Sequence, residues 1–100
     1  MRIWLDDIRP MPEGFTHWCR TPIGAIDLIL KGEVEHISFD HDLGFPEPYN
    51  GYKVASFIEL QAYLGKIPRL TWDIHSANPV GRHSIESAMK NAERYWEKQS

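Results

Sequence analysis

One hundred residues, 42 % hydrophobic and 25 % charged, form one domain (1–100) with a single core and no room for a second. A net charge of −3 excludes the basic field that duplex DNA binding needs, and the single cysteine, Cys19, excludes an internal disulfide and favours a reducing, cytoplasmic setting. MRIWLDD turns acidic at its sixth residue, so neither a signal peptide nor a membrane span is expected from it.

In chain order, RIWL (2–5) is a compact hydrophobic strand and FTHWC (15–19) a weaker one. The intervening IRPMPEG (8–14) carries two prolines and cannot form a crossover helix, so the second strand runs parallel only if this segment crosses as an extended loop. PIGAIDLILK (22–31) sets Ile23, Ile26, Ile29 and Leu30 at helical spacing and stops at Gly32. HISF (36–39) is the next strand. Between Gly51 and Gly65, Val54, Phe57, Ile58 and Leu64 make a helical stripe, and LTWDI (70–74) is a further strand. Ile85, Ala88, Met89, Ala92 and Trp96 then recur at i, i+3, i+4, i+7 and i+11, the strongest amphipathic helix in the chain. Strands alternating with helices imply right-handed crossovers and a parallel sheet: four strands and three covering helices.

Polar clusters follow three of these strands directly. Asp6-Asp7 follow the first, Asp40-His41-Asp42 follow HISF, and His75-Ser76-Ala77-Asn78 follow LTWDI. In an open parallel sheet the strand C-termini share one edge, where ligands bind, so the three clusters converge on one rim. Carboxylates gathered there repel unless a cation sits between them. Oxygen donors suit a hard ion, Mg²⁺ or Mn²⁺, which keeps several waters and bridges to phosphate. Zinc, through His41, His75 and a carboxylate, is the weaker option, because no ligand spacing known for zinc is present. The competing explanation makes each aspartate a turn residue or helix cap. Asn78-Pro79 has the look of a helix start whose free N–H groups face an anion, and Arg82 or Arg9 can add contacts to phosphate oxygens or remain plain surface arginines.

These residues resemble a receiver domain, the phosphoacceptor module of two-component signalling. Asp6-Asp7 match its acidic pair after the first strand, Asp40 its phosphoacceptor, and Ser76-Ala77 its Ser/Thr-Ala after the fourth strand. The run from Leu43 through Pro46 to Asn50-Gly51 resembles its Met/Leu-Pro…Asp-Gly segment with residues inserted. Two features depart from it. No fifth strand with its lysine follows residue 79, and no helix follows the first strand. With WLDDIRP, SFDHDLG and HSANPVGR, the chain is most similar to the compact receiver-like domains that process cyclic phosphates.

The resemblance implies a three-layer α/β/α, truncated flavodoxin-like sheet in the order 2-1-3-4. It also implies a metal-dependent phosphoesterase that opens a cyclic phosphate on a small nucleotide or an RNA end. Asp6, Asp7, Asp40 and Asp42 would be the metal ligands, with Asp40 also in the catalytic set. His41 and His75 would be acid–base groups, Ser76 a hydrogen-bond donor to the phosphoryl group, and Asn78, Arg82 and Arg9 substrate contacts. Strand alternation turns His41 away from Asp40 and Asp42, which favours packing. His17, His36 and His83 have no cluster around them. The alternatives are a signalling receiver phosphorylated at Asp40, a non-catalytic nucleotide-sensing module, and an adaptor using Trp72, Tyr49 and Tyr52 as exposed anchors. A homodimer through RLTWDI as an edge strand is a further possibility.

Overall fold

The computed structural model describes residues 1–43 and 50–99. Gly44, Pro46 and Tyr49, which carried part of the family-like segment and one aromatic anchor, lie outside the described residues. The elements are β1 (Arg2–Leu5), β2 (His17–Cys19), α1 (Pro22–Leu30), β3 (His36–Phe39), α2 (Gly51–Leu64), β4 (Thr71–Ile74) and α3 (Pro79–Gln99). All strand pairs are parallel, in the order β2-β1-β3-β4. The α/β class, strand order and helix count are those expected from the sequence.

The layering differs from the α/β/α expectation. The β2-to-β3 and β3-to-β4 crossovers travel the same way across the sheet, so right-handedness puts α1 and α2 on one face. α3 packs along α2, and its Glu93 accepts the Trp72 indole N–H at 3.0 Å, so it shares that face. The β1-to-β2 connection travels the other way and lies opposite, where Pro10 and Pro12 deny it a helix. It covers the sheet as an irregular strap. The Trp4 indole donates to the Arg9 carbonyl at 2.9 Å, Phe15 meets Trp4 edge-on at 5.2 Å, and Arg2 lies over Phe15 and donates to the Gly14 carbonyl at 2.7 Å.

The core lies between the sheet and the helices. Ile3, Leu5, Ile37 and Phe39 occupy matching register positions on the helix-facing side and are fully buried. From α3, Ile85, Ala88, Met89, Ala92 and Trp96 are all buried, the stripe read from the sequence. On α2 the buried line is Gly51, Val54, Ala55, Ile58 and Ala62, with Leu64 exposed. α1 is rotated from expectation: Pro22, Ala25 and Ile29 face the core, whereas Ile23 and Leu30 are exposed. Both faces of α1 are apolar, so periodicity alone cannot choose between them. Chain entry chooses: the Thr21 hydroxyl caps the helix by accepting the Gly24 amide at 3.2 Å.

Two glycines seat the helices against the chain leaving β3. The Gly51 amide donates to the His41 carbonyl at 2.8 Å, and a methyl group there would overlap the Asp40 carbonyl oxygen. At Gly81 a methyl would overlap the His41 ring. Both approaches require the missing Cβ.

Candidate metal centre at the strand ends

Asp6 is the first residue past β1. Its amide donates to the Cys19 carbonyl at 3.0 Å, and its Oδ1 accepts the Ile8 and Arg9 amides at 2.8 Å each, forming the turn that starts the strap. The Trp18 indole donates to the Asp6 carbonyl at 2.6 Å. Only 1 % of Asp6 is exposed. Asp40, just past β3 and 9 % exposed, donates its amide to the Leu5 carbonyl and accepts the His41 amide at Oδ1, each at 2.9 Å. His75, just past β4, donates its amide to the Phe39 carbonyl at 2.9 Å. The three sites are thus consecutive rungs of one parallel ladder, which is why residues 69 positions apart meet.

His75 Nε2 lies 3.0 Å from Asp6 Oδ2 and Nδ1 lies 2.8 Å from Ser38 Oγ. Its ring stacks on Trp4, with centroids 3.8 Å apart and planes at 7°. One ligand atom each from Asp6, Asp40 and His75 lie within 4.8 Å of one another. The carboxyls differ in proton affinity. Burial pushes Asp6 up, but the Ile8 and Arg9 amides and His75 together outweigh it and hold the group below its ordinary value. Burial pushes Asp40 up, the neighbouring Asp6 charge adds to this, and the His41 amide, His75 and Arg9 only partly oppose it. Two carboxylates and an imidazole at this spacing form a mixed oxygen–nitrogen donor set that fits a divalent cation.

Asp7, Ile8, Arg9, Asp42, Ser76, Ala77 and Asn78 join Asp6 and Asp40 in lining a cleft of about 380 Å³ at this rim. Asp7 and Asp42 therefore share the cleft but not the tight three-residue cluster. Asp42 is exposed and pairs with His41 Nδ1 at 2.9 Å. The His41 ring packs on Gly81 while its Nδ1 reaches Asp42, so the alternation expected to turn it away from Asp42 does not continue past the end of β3. Ser76 accepts the Asn78 amide at 3.1 Å, and Asn78 Oδ1 accepts the Gly81 amide at 3.0 Å as the cap of α3. One Arg9 N–H donates to the His75 carbonyl at 2.9 Å. Arg82 spends Nη1 on the Ile74 and Ser76 carbonyls, at 2.9 and 3.0 Å, tying α3 to the end of β4.

Sequence reasoning missed Ser38, Trp4, Asp73 and His36. His36, read as isolated, sits 2.7 Å from the Thr71 hydroxyl and 3.4 Å from Asp73. The signal that carried this was the polar alternation of HISF against TWDI, visible only once the two strands are set in register. Trp72, considered as an exposed anchor, packs against the core instead.

Fold and rim together define a truncated receiver-like α/β domain with an acidic site at its strand ends. The family model of the cyclic-phosphate processing receiver domain matches residues 1–91, and the chain belongs to that family. No curated protein and no solved structure gives a significant match. No described helix is long and apolar enough to cross a membrane.

Proposed function

We propose that this domain is a divalent-cation-dependent phosphoesterase that opens a cyclic phosphate carried by a nucleotide or an RNA end. The observation that carries this reading is the convergence of Asp6, Asp40 and His75 within 4.8 Å at the edge of a polar cleft. Asp6 and Asp40, with Asp7 and Asp42 directly or through water, would hold a Mg²⁺ or Mn²⁺, which would supply Lewis-acid polarisation of a phosphoryl oxygen.

The chain's own groups do the rest. Ser76 accepts from the Asn78 amide, which leaves its hydroxyl hydrogen for a phosphoryl oxygen. Arg9 keeps donors beyond the one given to His75 and offers them along the cleft wall. His41 holds Asp42, and Asn78 closes the helix end beside them. Opening the ring joins a water oxygen to phosphorus and breaks one of the two ester P–O bonds, and the proton lost by the water is returned to the leaving oxygen. His75 is the imidazole of the cluster and the group to relay that proton.

The test is a panel of cyclic phosphates and phosphodiesters with Mg²⁺ and Mn²⁺, run on the native chain and on Asp40→Asn. Turnover by the native chain, with a loss of about 100-fold or more in the variant, supports the reading. Calorimetric binding of an intact ligand without turnover would make the domain a sensing module. An Asp40→Asn variant with full activity would remove the site assignment.

A further inference from the structure

α2 carries apolar side chains on two sides. One line, Val54, Ala55, Ile58 and Ala62, is buried in the core. A second line, Lys53, Ser56, Phe57, Leu60, Tyr63 and Leu64, recurs at i, i+3, i+4, i+7, i+10 and i+11, the spacing of a seam that meets another helix. On that line Leu60, Tyr63 and Leu64 are 51, 62 and 48 % exposed. Of the eight large apolar side chains exposed among the described residues, six stand on α1 and α2. All of the seam but Leu64 lines a groove of about 720 Å³, which Ile26 of α1 and Tyr95 of α3 also line. Tyr63 and Tyr95 meet edge-on at 5.2 Å, so two rings are held in place on this surface. An exposed apolar patch with fixed aromatic anchors marks a surface where another protein docks.

The charges decide what docks. Lys53 and Glu59 line the same groove, three residues before and three residues after Ser56. Six positions apart on one helix, they are not neighbours, and among the described residues Lys53 makes no ion pair. Asn91 of α3 donates to Glu59 Oε2 at 2.7 Å, which steadies the carboxylate and leaves it lone pairs for a cation. Two copies of α2 running antiparallel about a two-fold axis at Ser56 bring Lys53 of each copy level with Glu59 of the other. The small Ser56 side chain lets the helices approach at the axis. One surface therefore carries both halves of its own complement, as an isologous interface requires. We infer that the outer face of α2 is a homodimer interface, on which a second copy of this chain docks antiparallel about Ser56 and joins Lys53 to Glu59 on both sides of the axis. The edge of β4 is a poorer meeting place, four residues long and carrying the exposed Asp73 charge.

The experiment is sedimentation velocity on the full chain from about 1 μM to about 1 mM, with circular dichroism to show that each variant is folded. The native chain is expected to move from 11.6 kDa towards twice that mass as its concentration rises. Leu60→Asp and Lys53→Glu, both at exposed positions, should each raise the dimer Kd about 10-fold or more. Glu59→Lys alone should do the same. An equimolar mixture of Lys53→Glu with Glu59→Lys should dimerise again, because each copy then presents the charge the other lacks. That rescue is the signature of residue 53 facing residue 59 across the interface. A native chain that stays at 11.6 kDa throughout overturns the inference. So does a dimer untouched by both Leu60→Asp and Lys53→Glu, such as one paired along β4, and so does a mixture of the two charge-reversed variants that stays monomeric.

Discussion

Asp40→Asn is expected to stabilise the cation-free domain while abolishing its response to cation. The Asp40 carboxyl ionises at 3.8 in its ordinary setting, and in the folded chain burial and then the Asp6 charge raise that value. Below the unfolded value both states are protonated and the group contributes nothing. As pH climbs past it, the unfolded chain gains more by ionising, so folding loses stability, fully so above the raised folded value. Carboxylate oxygens up to 4.8 Å apart repel by roughly 3 kcal/mol at an effective dielectric constant of about 20. The His41 amide, His75 and Arg9 oppose burial and this repulsion only in part, so the net effect of ionising Asp40 on folding stays unfavourable. In a domain of this size each 1 kcal/mol recovered raises the melting temperature by about 4–8 °C. Asparagine keeps an acceptor for the His41 amide and discards the charge. The assay is thermal unfolding followed by circular dichroism, with and without Mn²⁺. The native chain should gain about 2.7 kcal/mol when cation exceeds its Kd roughly 100-fold, and the variant should gain almost nothing. The variant's advantage should also close as pH falls below 3.8. A variant that melts lower than the native chain at neutral pH, or keeps the cation response, would refute the reasoning.

Asp6 has the opposite sign: its carboxyl is held below the ordinary value, so its contribution is present above 3.8 and lost as pH falls through the lower folded value. Asp6→Asn should therefore be destabilised at neutral pH, with the deficit shrinking in strong acid, as urea unfolding across that range would show. Gly51→Ala meets a backbone carbonyl that cannot swing away and should cost about 1–3 kcal/mol, whereas Gly81→Ala meets only the His41 ring and should cost less; melting temperatures compare them. Ile29→Ala should lose about 2–5 kcal/mol, and Ile23→Ala, on the exposed side of α1, should stay within about 0.5 kcal/mol by urea unfolding.

The same apolar spacing that located every strand and helix did not always say which way each faced. On α3 the stripe from Ile85 to Trp96 has one apolar side, so its burial could be read directly. On α1, isoleucines and leucines circle the helix, and the Thr21 cap and the exit from β2 settled its rotation. The prolines at 10 and 12 announced a missing helix. That this leaves all three helices on one face emerged from the directions of the two crossovers.

At the site, sequence alone determined which residue types stand at the strand ends, because a parallel sheet brings every such end to one edge. It could not rank them. Asp6, Asp7, Asp40 and Asp42 look alike in one dimension. Only the ladder pairing of β1, β3 and β4 drew Asp6, Asp40 and His75 into a cluster and left Asp7 and Asp42 along the cleft. Ser38 and Asp73 were silent for the same reason, since 35 residues separate them along the chain and one hydrogen bond joins them across the sheet. Local pattern specifies elements, whereas hydrogen bonds between distant side chains exist only after register is set.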